Sequence, residues 1–133
     1  MANTFYLEII TPTRVFFSGM AEDLVLPTLD GMYGVEAGHE PVVTVVEPGV
    51  LRYKAGGDWQ KAAVTGGFVE IMPEHTIMLV SAAEHPEEID VKRAEAARDR
   101  AEERMRQRES VQEYYRSQAA LARAMARLKT REK

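Results

Sequence analysis

Apolar and β-branched residues recur in short runs over residues 4–81, and turn-forming residues interrupt them at intervals of roughly 8–12 positions. Thr4–Ile10 stops at Thr11-Pro12, and Arg14–Phe17 stops at Ser18-Gly19. Asp23–Pro27 leads to a turn at Leu29-Asp30-Gly31. Val42–Val46, Val50–Tyr53, Trp59–Val64, Phe68–Met72 and His75–Ser81 follow, divided by Pro48-Gly49, Gly56-Gly57, Gly66-Gly67 and Pro73-Glu74. This cadence predicts an all-β sandwich or barrel. Asp30-Gly31 and Gly56-Gly57-Asp58 supply the positive φ values that tight hairpins need.

Near Ile89 the pattern changes period. Ala94, Ala97, Ala101 and Met105 recur at helical spacing, as do Val111, Tyr114/Tyr115, Gln118, Leu121, Met125 and Leu128. Asp90 and Ser110 are suited to cap the two helices, and Glu87-Glu88 place negative charge before the first. Residues 90–133 contain neither Pro nor Gly. The prediction is an antiparallel helical hairpin turning near Ser110. The fold class is therefore α+β in two segregated parts, residues 1–88 and 89–133. The Ala-rich seam of the first helix gives less burial energy than large aliphatic side chains, so the hairpin is expected to be marginally stable and movable.

Charge divides at the same place. Residues 1–89 carry 4 Lys/Arg and 13 Asp/Glu, net −9, and residues 90–133 carry 13 and 8, net +5. Opposite charge on two differently built parts suggests different tasks. In an antiparallel hairpin, residues whose numbers sum to about 220 face one another. Arg93 then faces Arg127, Ala97 faces Arg123, and Arg100 lies two turns along from Arg93. Arginines gather at the open end beside Asp90 and Glu84, an arrangement matched to phosphate. The plain alternative is a solvated basic face threaded with Glu.

Several classes are disfavoured. The basic tail is interleaved with Glu95, Asp99, Glu102, Glu103 and Glu109, so nucleic acid is not expected. No run of apolar residues reaches membrane-spanning length, and membrane insertion is not expected either. There is no cysteine, no metal-spaced His pair and no set of nucleophile and base. Gly31-Met32-Tyr33-Gly34 is a G-x-x-G without the strand-to-helix context of a phosphate loop. The polar segment Gly34–Pro41, with His39 before Glu40-Pro41, reads as a turn or a contact loop. His75 and His85 read as surface residues beside turns.

The motifs, in order along essentially the whole chain, resemble the epsilon subunit of bacterial F-type ATP synthase. Thr11–Gly19 is similar to that family's first hairpin, and Gly34–Pro41 to its Gly-His-x-Pro loop. Glu47–Leu51, Gly66-Gly67-Phe68 and Ile89-Asp90-Val91-Lys92-Arg93-Ala94 match as well. Met32 and Glu36 stand where many members carry other residues, and Lys92 adds a charge.

The resemblance implies a ten-stranded sandwich followed by two helices. It implies a non-catalytic central-stalk subunit that couples ion-driven rotation to ATP synthesis. The sandwich would dock on the gamma subunit and the c-ring, with Gly34–Pro41 near that contact. The hairpin would extend toward the catalytic beta subunits and inhibit ATP hydrolysis. The location implied is peripheral, on the cytoplasmic side of the bacterial cell membrane. Some members bind ATP as a regulatory ligand, without a required metal. The corresponding residues here are Glu84, Ile89, Asp90, Arg93, Ala94, Arg100, Arg123 and Arg127. Asp90 and the adjacent backbone would hold adenine, and the arginines the phosphates. The alternative is a stand-alone nucleotide-sensing or protein-interaction module with no rotor role.

Overall fold

The computed structural model describes residues 3–107 and 110–132. Among them, ten strands form two five-stranded sheets. The first sheet contains β1 (Phe5–Ile10), β2 (Val15–Ala21), β5 (Val42–Val46), β8 (Gly67–Ile71) and β9 (His75–Val80), in the order β2-β1-β9-β8-β5. The second contains β3 (Asp23–Thr28), β4 (Gly31–Val35), β6 (Gly49–Ala55), β7 (Asp58–Val64) and β10 (Ala83–Glu84), in the order β10-β7-β6-β3-β4. β1 and β9 run parallel, and every other pair is antiparallel.

Alternation decides which side chains enter the core. Phe5, Leu7 and Ile9 of β1 are buried, and so are Leu24 and Leu26 of β3, Leu51 and Tyr53 of β6, and Val69 and Ile71 of β8. These faces meet as one apolar cluster between the sheets. The β6–β7 hairpin closes on Gly56 and Gly57, at φ 61° and 82°, and Gly31 adopts φ 108° after the β3–β4 turn.

Three segments differ from the sequence reading. β2 runs straight through Ser18-Gly19, because pairing with β1 continues to Ala21. Gly31–Val35 is a strand rather than turn and loop. It lies at the sheet edge and fully buries only Val35, so it carries little alternation to read. β10 is too short to show a period at all.

A 3₁₀ turn at Pro86–Glu88 leads into α1 (Val91–Gln107), and α2 (Val111–Arg131) follows. The Asp90 carboxylate accepts from Arg93 N at 3.1 Å, and Ser110 Oγ accepts from Glu113 N at 3.0 Å, so both capping expectations hold. The turn read near Ser110 includes residues 108–109, which lie outside the described residues.

The seam of α1 is as expected, with Ala94 and Ala101 buried and Ala97 and Met105 half-buried. The seam of α2 holds only in part, with Tyr114, Leu121 and Leu128 half-buried and Gln118 exposed. Val111 is 74% exposed, Tyr115 62% and Met125 47%, while Ser117, Ala124, Ala126 and Thr130 are buried. The reason is that α2 packs against two neighbours, α1 on one side and β6 and β7 on the other. Ala124 and Ala126 sit roughly 200° apart around the helix and can serve both contacts. Small residues at these positions bring the helix close to each neighbour.

One close approach inside the sandwich can be tested. A Cβ at Gly67 would run into the carbonyl oxygen of Leu79 on the paired strand, whereas one at Gly34 meets open space. Gly67→Ala is therefore expected to destabilise the chain by about 2–3 kcal/mol, with Gly34→Ala within about 0.5 kcal/mol of wild type, in chemical denaturation.

Candidate functional site

The second sheet ends in β10, which carries Glu84 to the side of the hairpin. There a groove of about 440 Å³ opens between α1, α2 and the sandwich. Its walls include Glu84, Glu88, Asp90, Arg93, Arg100, Arg123 and Arg127, and Ala94, Ala97, Ala120 and Ala124 also line it. Seven of the eight residues singled out from the sequence thus share one groove. The eighth, Ile89, is buried outside the lining, and its N–H is taken by the Pro86 carbonyl at 3.2 Å. Glu88 and the other three alanines were not on that list. The alanines line the groove because the helices meet at the expected register, with Ala97 and Arg123 on the same groove, and Glu88 reaches it from the 3₁₀ turn before α1.

The charges are unevenly partnered. Arg127 Nε donates to Glu84 Oε1 at 2.6 Å, which ties α2 to the sandwich. Among the described residues, Arg93, Arg100 and Arg123 have no carboxylate within ion-pair distance. Guanidinium groups gathered without counter-ions favour an anion. The four alanines leave space that larger side chains would fill. A nucleotide polyphosphate fits both features. No group of three potential metal ligands occurs among the described residues.

The joint between the two parts is built from residues distant in sequence. Arg14 donates to both oxygens of Glu88 at 2.9 Å and to the Ala83 carbonyl at 2.8 Å. Glu88 also accepts from His85 N at 2.8 Å, and the His85 ring stacks on Phe16 at 4.1 Å. Glu88 therefore serves as a clasp and also closes the capping box at the start of the 3₁₀ turn. His85 and His75 lie half-covered at the surface, the His75 side chain 41% exposed with its Nε2 2.9 Å from Glu8 Oε1. Sequence reasoning missed the clasp because its partners lie 74 positions apart.

A second surface lies on the outer face of the first sheet. Val45, Phe68 and Leu79 stand side by side across β5, β8 and β9. They are 42%, 60% and 54% exposed, and Val43 beside them is 69% exposed. The signal was present in Val42–Val46 and His75–Val80, which are apolar in both phases of the alternation, as strands covered on two sides are. The neighbouring loop after β4 is well braced. Gly38 N donates to the Pro73 carbonyl at 2.7 Å. His39 Nδ1 donates to the Glu40 carbonyl at 2.7 Å, so in the neutral ring Nε2 accepts from Tyr33 OH at 2.9 Å.

The fold and these surfaces define a two-part adaptor, a sandwich with a bare apolar face joined to a hairpin with an anion-suited groove. The chain belongs to the ATP synthase delta/epsilon chain family. The family's beta-sandwich domain matches residues 4–86, and its long alpha-helix domain matches residues 87–132. An ATP synthase epsilon chain of Ruminiclostridium cellulolyticum is 54% identical over 94% of this chain and 93% of its own length. One from Caldanaerobacter subterraneus is 45% identical over 97% of this chain and 94% of its own length. In fold, the chain is similar to a chain of the Euglena gracilis mitochondrial ATP synthase, with a TM-score of 0.83 at 22% identity, over 95% of this chain and 79% of that one.

The clasp has a defined pH dependence. The hydrogen bonds from Arg14 and then from His85 N lower the Glu88 carboxyl from 4.5 to about 2. A carboxylate depressed on folding stabilises above its ordinary value and loses that contribution as pH falls through the folded one. Arg14→Gln should thus reduce stability at neutral pH, and the difference from wild type should shrink as pH falls from about 4.5 through about 2, down to what the lost Ala83 carbonyl hydrogen bond contributes, in urea titrations.

Proposed function

We propose that the chain is a non-catalytic central-stalk subunit of an F-type ATP synthase, coupling ion-driven rotation to ATP synthesis. The observation that carries this reading is the family match over both parts of the chain. Labour divides between residues 1–88, which dock on the gamma subunit and the c-ring, and residues 89–133, which regulate. The apolar face around Phe68 is suited to docking, since exposed apolar patches of this kind mark interaction surfaces. The braced loop at 36–41 adds a rigid contact. The hairpin restrains ATP hydrolysis by leaving the sandwich and presenting its basic side chains to the catalytic beta subunits. The complex holds the chain at the cytoplasmic side of the cell membrane, peripherally. No described helix is long and apolar enough to cross a membrane.

ATP is the regulatory ligand of the folded hairpin. Arg93, Arg100 and Arg123 bind phosphates, joined by Arg127 from its pair with Glu84. Asp90 uses one oxygen on its own helix and has the other for the adenine amino group. Bound ATP would bridge α1 and α2 and favour the folded position. Bringing those arginines to one groove supports this reading. A stand-alone nucleotide sensor would need the same groove but no stalk, and binding to a gamma subunit separates the two.

Phe68→Glu is expected to weaken binding to a gamma subunit at least about tenfold in size-exclusion or calorimetric titration, with the fold intact by circular dichroism. Undiminished binding would move the docking surface elsewhere, and no binding by the wild-type chain would favour the sensor.

The wild-type chain should release or take up heat on titration with ATP, and Arg93→Gln should weaken that binding at least about tenfold. No heat at millimolar ATP would reject the nucleotide reading while leaving the rotor reading in place.

A further inference from the structure

Beyond the groove at the open end, the hairpin carries a second basic cleft. It has a volume of about 410 Å³ and lies toward the helix turn. Arg104 of α1 and Arg116 and Arg123 of α2 line it, with Glu113, Ser117 and Ala120. Arg104 and Arg116 obey the same antiparallel register as the residues of the first groove. Arg116, Ala120 and Arg123 follow at spacings of four and three and share a helix face.

The balance of charge suggests that the cleft takes a ligand. Three guanidinium groups meet one carboxylate, and among the described residues none of the three has an ion pair. Ser117 is 2% exposed with its Oγ buried, so its hydroxyl backs the cleft and leaves the arginines to meet a ligand. A polyvalent oxyanion offsets the gathered like charges by accepting from the arginines, which a neutral ligand does not.

We propose that this cleft is a second anion site, which binds a free polyvalent phosphate such as inorganic phosphate or pyrophosphate. Its occupant joins α1 to α2 through Arg104 on one helix and Arg116 and Arg123 on the other. Occupancy therefore holds the hairpin folded. The site is distinct from the first groove, shares Arg123 and Ala120 with it, and does not rest on ATP occupying that groove.

The test is calorimetric titration of the full chain with pyrophosphate at constant ionic strength of about 0.15 M, where diffuse attraction is largely screened. The variants are Arg104→Gln with Arg116→Gln, which remove the second cleft, and Arg93→Gln with Arg100→Gln, which disable the first groove. Gln keeps helix propensity close to that of Arg, and circular dichroism checks that each variant folds. Wild type is expected to bind pyrophosphate in both places. The first pair should weaken the component held by the second cleft at least about tenfold, and the second pair should remove the component held by the first groove and leave the other. Amide exchange over residues 91–107 and 111–131 should still slow with pyrophosphate in the Arg93/Arg100 variant, and not in a chain carrying all four substitutions. The proposal is overturned if wild type shows no binding at about 10 mM pyrophosphate. It is overturned equally if the Arg93/Arg100 variant loses all pyrophosphate binding, which assigns the phosphate to the first groove, or if the Arg104/Arg116 variant keeps all of it, which leaves the second cleft empty.

Discussion

The close approach of α2 to two neighbours at once is the constraint on which the other features depend. Ala124 lines the groove shared with α1, Ala126 turns roughly the other way, and Thr130 is buried with its hydroxyl returned to the Ala126 carbonyl at 2.7 Å. Small side chains permit this geometry and limit its strength, since an Ala methyl contributes much less than the roughly 1.5–3 kcal/mol of a large aliphatic group. The polar ties at the end of α2 are surface contacts. Arg131 donates to the Pro86 carbonyl at 3.1 Å, and Lys61 Nζ donates to the Glu132 carbonyl. Contacts of this kind are worth about 0–1 kcal/mol each. The hairpin is thus positioned by close packing of small residues, with polar ties that add little.

Charge placement follows from that docking. Glu84 belongs to an edge strand of the sandwich and Arg127 to α2, so their pair exists only while α2 lies against the second sheet. The nucleotide-suited groove has one wall from the sandwich and two from the helices. It is complete only in the docked position. Any anion bound there stabilises that position by the difference between its affinities for docked and undocked states. The Arg14–Glu88 clasp sits at the joint itself and ties the 3₁₀ turn to the sandwich just before α1 begins.

Much of the sandwich could be read from local pattern, because a strand with one face in the core must alternate. β1, β3, β6 and β8 show it plainly, and the hairpin at Gly56-Gly57 could be placed from its turn residues. β4 and β10 could not be read, since an edge strand and a two-residue strand bury too little to impose a period. The arginines of the groove were legible because a helical hairpin has one free parameter, its register, and Ser110 sets it as the N-cap of α2. The clasp was not legible, because nothing local to Arg14 or Glu88 announces a partner across the chain.

By itself, then, the sequence determined the change from period two to helical period near Ile89, the separation of acidic and basic parts, the caps at Asp90 and Ser110, and the residues facing one another across the hairpin. These are consequences of local geometry and of charge counted along the chain. Only the tertiary structure decided which face of α2 is buried. The apolar stripe through Val111, Tyr115 and Met125 predicted one face, and packing against two surfaces chose the small residues Ser117, Ala124, Ala126 and Thr130. Close approach on both sides excludes large side chains regardless of their hydrophobicity, and no one-sided periodicity can express that requirement.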